Sequence, residues 1–104
     1  MSLDITASKT WYYDEKFGWY DTKDEIAGFT FSSMLNDYWG TYDFFIGNAD
    51  DIITYECDKL YIYNRKTLFK LKEKNKKLKL GEDVNIFLNS CINSGVEKIY
   101  VEIY

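Results

Sequence analysis

The spacing of apolar positions changes several times along the chain, and each change predicts an element. Two aromatic runs, 11–13 (WYY) and 18–21 (GWYD), flank the loop 14–17 (DEKF). They predict a hairpin, with Gly18 in the left-handed conformation that often closes such a loop. In that register Tyr12 lies opposite Trp19 and Trp11 opposite Tyr20, so rings occupy both faces of the hairpin. Residues 26–31 (IAGFTF) predict a further strand. Phe31, Met34, Leu35, Tyr38 and Trp39 then follow at helical spacing, which predicts a short helix near 32–39, capped by Ser32 and ended by Gly40. Strands are expected at 41–46 (TYDFFI), 52–56 (IITYE) and 60–64 (LYIYN), the last two joined by a tight turn through Asp58 and Lys59.

Residues 67–80 (TLFKLKEKNKKLKL) force a choice between periods. A helix would place Lys74 or Asn75 where Leu71 needs an apolar neighbour. Alternation instead pairs Phe69 and Leu71 with Leu80 and Leu78 across the loop 73–76 (EKNK). The expectation is a hairpin with one apolar face and one lysine face, Lys70 opposite Lys79 and Lys72 opposite Lys77. Beyond Gly81, the residues Val84, Phe87, Leu88, Cys91 and Ile92 form the apolar stripe of a helix at about 82–94. Glu82 and Asp83 suit its first turn, and Gly95 its end. Residues 98–104 (KIYVEIY) close the chain as a strand with Ile99, Val101 and Ile103 on one face. The sum is an α+β domain, mainly an antiparallel sheet of seven to nine short strands, over residues 4–104. Met1, Ser2 and Leu3 read as a cloning remnant and stay outside it.

Composition narrows this picture. The chain has 104 residues, one domain's worth, and its hydrophobic fraction of 46% argues against disorder. No run is long and apolar enough for a membrane span and no signal-peptide pattern opens the chain, so a cytoplasmic protein without a membrane partner is expected. The abundance of Lys, Asn, Ile and Tyr without Pro or His fits AT-rich codons and points to a bacterial or phage source. The net charge of −4 is unevenly laid: residues 1–58 hold 3 lysines and 12 acids, residues 59–104 hold 10 basic residues and 5 acids. Such asymmetry suggests electrostatic partnering, unless the two halves neutralise each other within one fold.

Catalytic signals are weak. Without histidine there is no Ser–His or Cys–His pair. Cys57 and Cys91 lack the spacing of a zinc knuckle or a redox pair, and Cys91 falls on the apolar stripe of its helix. The carboxylates of Asp21, Asp24 and Glu25 resemble the start of a calcium loop, but Ile26 stands where that loop needs glycine. No metal, cofactor or catalytic residue is assigned. What remains is binding. The acids Asp14, Glu15, Asp21 and Asp24 among Trp19 and Tyr20 form an acidic aromatic surface suited to a basic protein, as in an inhibitor or immunity-type factor, or to a second copy of the chain. The alternative is a single-stranded nucleic acid or other polyanion on Lys70, Lys72, Lys77 and Lys79, with Tyr61 and Tyr63 to stack bases. The bland reading of those lysines is protection of a sheet edge. A carbohydrate-binding module and a small carboxylate-dependent enzyme complete the alternatives.

Overall fold

The computed structural model describes residues 2–16, 19–32, 38–55 and 58–104. In chain order they form β1 (Ser2–Asp14), β2 (Trp19–Ser32), α1 (Tyr38–Ile46), β3 (Asp51–Tyr55), β4 (Asp58–Asn64), α2 (Arg65–Leu78), α3 (Glu82–Asn93) and β5 (Lys98–Ile103). The five strands make one antiparallel sheet in the order β2-β1-β5-β4-β3. The α+β class and the antiparallel sheet agree with expectation; the strand count of seven to nine does not. The strands expected at 18–21, of which 19–21 are described, and at 26–31 are parts of the single strand β2, and the three strands expected at 41–46 and within 67–80 are helical. The helix expected near 32–39 falls largely outside the described residues. Leu3, expected outside the domain, pairs with Phe31 and packs on the core.

All three helices cover one face of the sheet. Ile5, Ala7, Ile99, Val101, Tyr61 and Tyr63 point from the strands into a cluster completed by Phe44 and Phe45 of α1, Leu68 and Leu71 of α2, and the full predicted stripe of α3. α3 follows its sequence closely: it ends at Asn93, Ser94 caps it, and Gly95 takes the positive φ of 74° that a C′ residue needs. α1 replaces an expected strand because burial overrides the strand preference of its aromatic residues. Thr41, Phe44 and Phe45 sit at i, i+3 and i+4 and are all buried, and the Asn48 side-chain amide donates to the Phe44 carbonyl at 2.7 Å.

α2 overturns the lysine hairpin through one residue. Asn75 occupies the core position that an apolar residue would normally fill, and it is 2% exposed. Its amide nitrogen donates to Asn85 Oδ1 at 2.7 Å and its Oδ1 accepts the Leu80 N–H at 3.0 Å. Its backbone carbonyl accepts the N–H of Lys79, which turns the chain with φ at 54°. A buried polar group with both ends paired carries no desolvation penalty to speak of, so the stripe Leu68, Leu71, Asn75 works as a helix face. Substituting Asn75→Ala leaves the Leu80 N–H without its acceptor and should cost about 1–3 kcal/mol in urea unfolding, with m unchanged. A cost near zero would mean that Asn75 does not hold the α2–α3 corner.

The opposite sheet face carries no helix, yet Leu60, Ile62 and Ser8 on it are buried. The β1–β2 hairpin covers it. β1 pairs with β5 only as far as Ser8, and beyond that point β1 and β2 run on as a two-stranded arm to the pair Asp14↔Trp19. The register slips between Ala7 and Ser8, leaving Ile26 unpaired, and Asp24 takes a positive φ of 61°. Such a bulge bends the strand that carries it. Thr22 pairs with Trp11, whereas Glu102 pairs with Thr6. Five strand residues would separate those positions by about 16 Å in a flat sheet. The Thr22 hydroxyl nevertheless donates to the Glu102 carboxylate, so the arm folds back over the sheet.

Candidate functional site

Two surfaces collect the residues singled out in the sequence, and they lie on opposite sides of the sheet. The cationic one is α2 with its cap: residues 65–79 hold eight Lys or Arg and one acid. The four expected lysines do not share a face there. Lys70 and Lys77 lie two turns apart on the outward side, joined by Lys66 one turn earlier. Lys72 is half-buried on the flank, and Lys79 is the C-cap. The facing pairs Lys70–Lys79 and Lys72–Lys77 do not exist. The outward row from Lys66 to Lys77 runs about 16 Å along the helix axis.

The charge layout of α2 does not serve its own stability. Lys66–Lys70, Lys70–Lys74 and Lys72–Lys76 are like charges at i,i+4, each costing about 0.2–0.5 kcal/mol. The first turn carries Arg65 and Lys66 and no acid, against the helix dipole; Lys76 and Lys77 in the last turn comply with it. Partial relief comes from Lys76, whose Nζ lies 2.9 Å from Glu73 Oε1, and from Lys74, which donates to Asn48 Oδ1 at 2.7 Å. The Lys76 hydrogen bond, with the lysine charges around it, holds the Glu73 carboxyl below its usual range.

The helix also presents a ring that the sequence reading placed in a hairpin core. Phe69 is 47% exposed beside the lysine row. The Arg65 guanidinium lies over it, 5.4 Å from the ring centroid, and is itself fixed by donation to the Ile92 carbonyl. Tyr61 and Tyr63, expected to stack bases, are in the core instead. Tyr63 donates its hydroxyl to the Phe45 carbonyl, and burial above all pushes its pKa far above the ordinary range. Helical spacing of Lys66, Lys70 and Lys77 was the signal available for the outward face of α2; the buried Asn75 hid it.

The acidic surface is the arm. Thr22 and Trp11 share its inward face, and Trp11 is half-buried. Tyr12, Asp14 and Asp21 share the outward face, with Tyr12 opposite Asp21 rather than Trp19. Trp19 lies opposite Asp14 in the ladder and Tyr20 opposite Tyr13. Several acids have local work: Asp14 accepts the Lys16 N–H at 3.0 Å, Asp21 the Thr22 N–H at 2.8 Å, and Asp24 holds a backbone conformation that Asp tolerates better than most residues. Glu15 and Glu25 are exposed. Lys23 places its Nζ 4.7 Å from the Tyr12 ring centroid, so the outward face is not purely acidic.

Nucleophilic chemistry finds no support in Cys91. It is a free, buried thiol whose pKa burial pushes up to about 12, which keeps it protonated at neutral pH. Cys57 lies outside the described residues. Among the described residues no group of three Cys, Asp or Glu is placed to hold a metal ion, and no helix is long and apolar enough to cross a membrane. No protein-family model, curated protein or solved structure matches the chain.

Proposed function

We propose that this protein binds the phosphate backbone of single-stranded nucleic acid on the outer face of α2. The observation that supports it is the outward row Lys66, Lys70 and Lys77, in which Glu73 is the one acid, beside the exposed Phe69 ring. Lysines one turn apart supply the electrostatic term, and a flat exposed ring supplies sequence-tolerant stacking. Edge protection no longer accounts for these lysines, because a helix has no strand edge to protect. The chain's net charge of −4 does not oppose this reading: the arm's acids lie across the sheet from α2, so attraction is local. Fluorescence anisotropy with oligo-dT should give affinity that falls with salt, log K against log[salt] having a slope of about −2 for three phosphate contacts. Salt-insensitive or absent binding removes the proposal.

A second reading uses the arm as a docking surface for a basic protein or a second copy of the chain. It is favoured by the shared outward placement of Tyr12, Asp14 and Asp21. In that reading charge reversal at Asp21 and Glu15 abolishes partner capture and leaves oligo-dT binding intact.

A further inference from the structure

We propose that α3 is a base-reading helix: its asparagine row Asn85, Asn89 and Asn93 contacts the base edges of single strands that carry adenine. This rests on the reading of α2 as the phosphate-binding helix and gives its neighbour a different task. Asn75 near the end of α2 donates to Asn85 near the start of α3, and Arg65 at the start of α2 donates to the Ile92 carbonyl near the end of α3. The two helices therefore lie side by side and antiparallel, on the same face of the sheet. The Arg65 guanidinium also lies over Phe69, which puts that exposed ring on the flank of α2 next to α3. Lys72, half-buried, follows on the same flank.

The composition of α3 selects the ligand class. From Val84 to Val96 the chain carries no charged residue, although 29% of the whole chain is charged, so this face neither attracts nor repels an ion. Asn85, Asn89 and Asn93 recur at i, i+4 and i+8, one per turn over about 12 Å of axis. Asparagine is a poor helix former, so the row works against the helix that carries it. Asn85 gives its Oδ1 to Asn75 and keeps a free donor edge. Asn89, half-buried, and Asn93, exposed, make no side-chain hydrogen bond among the described residues. Each therefore offers an acceptor and a donor side by side. Adenine matches that pair, its N6–H donating to Oδ1 while N7 accepts from Nδ2–H. A basic ligand would meet the cations of α2, and an apolar one would leave the amides without partners. A nucleotide uses all three parts: phosphate on the lysines, ring face on Phe69 and base edge on the asparagines.

Fluorescence anisotropy with the whole chain tests this on strands of equal length: oligo-dT, oligo-dT with interspersed adenines, and an abasic strand. The adenine-bearing strand should bind about tenfold more tightly than oligo-dT, and the abasic strand most weakly. Asn89→Ala should abolish the adenine preference and leave the salt slope unchanged, because no phosphate contact is lost. Asn93→Ala should weaken binding of the adenine-bearing strand several-fold. Alanine suits a helix better than asparagine, so neither loss would come from unfolding. The proposal is overturned if the parent binds the adenine-bearing strand no more tightly than oligo-dT, if Asn89→Ala keeps the preference, or if the salt slope flattens in that variant. Salt-dependent binding without adenine preference sinks this inference and leaves the reading of α2 standing. Adenine preference without salt dependence does the reverse, and binding to none of the strands removes both.

Discussion

Phe87→Ala should destabilise the domain by about 3–5 kcal/mol, measured as a drop in the urea midpoint at constant m. Phe87 is 2% exposed and stands where three elements meet. Its ring is edge-on to Phe29 of β2, with centroids 5.4 Å apart, and edge-on to Phe45 of α1 at 5.5 Å. Phe45 in turn meets Phe44 and Tyr63, so the Phe87 ring ties α3 to the sheet and to α1 at once. Truncation removes the transfer free energy of the ring, leaves a cavity that three separate elements cannot collapse together, and deletes two favourable aromatic contacts. A domain of this size has only about 5–15 kcal/mol in total, so the variant should melt more than ~10 °C lower. The neighbouring Ile86→Ala is the control: Ile86 is 56% exposed and its loss should stay within about 0.5 kcal/mol. If the two variants were equally stable, α3 would not be the element that locks the helical layer to the sheet.

α3 was also the element most legible in the sequence, and the reason is the same burial. Its core side is wholly apolar, so Val84, Phe87, Leu88, Cys91 and Ile92 show the helical period without interruption. β5 was legible because Ile99, Val101 and Ile103 alternate with polar or amphipathic neighbours. β3 and β4 were legible as paired strands, although β4 is buried on both faces, with Leu60 and Ile62 under the arm and Tyr61 and Tyr63 under the helices. Elsewhere the code is carried by residues whose local preference points the other way. Asn75 fills a core position because Asn85 and the Leu80 N–H, distant in sequence or outside the helix, satisfy it. Phe44 and Phe45 prefer strands but are placed helically by the ring cluster. The start of β1 was missed because Ala7 and Ser8 bury little surface each and leave a faint pattern, though both are essentially inaccessible. The arm's two-sided aromatic character was readable, and its pairing partners shifted by two residues, Tyr12 meeting Asp21 and not Trp19. Its fold-back was not, since it depends on the bulge at Ile26 and on Thr22 reaching Glu102, a contact 80 residues apart. For the cationic surface the scaffold is a helix and not the expected hairpin, which changes the side chains that lie together: Lys70 and Lys77 share the outward face with Lys66, beside Phe69.

Lys66→Glu should move stability and binding in opposite directions. In the folded protein Lys66 sits in the first turn of α2, where the helix dipole disfavours a cation and no acid is present to offset it. It also repels Lys70 at i,i+4. Glutamate reverses both terms: an acid in the first turn gains about 0.3–1 kcal/mol, and a Glu followed four residues later by Lys is the favourable orientation of that pair. The variant should therefore be more stable than the parent by about 0.5–1.5 kcal/mol at low salt, the gain shrinking as salt screens it. On the outer face of α2 the same change removes one of three aligned cations and puts an anion in its place. Oligo-dT affinity should fall about tenfold or more, and the salt slope should flatten by ~0.7 or more as one phosphate contact is lost. A variant that binds poorly because it unfolds would lose both properties together, and a lysine kept only for solubility would lose neither. Stabilisation with undiminished binding would place any nucleic-acid contact away from α2 and end the proposed role of this helix.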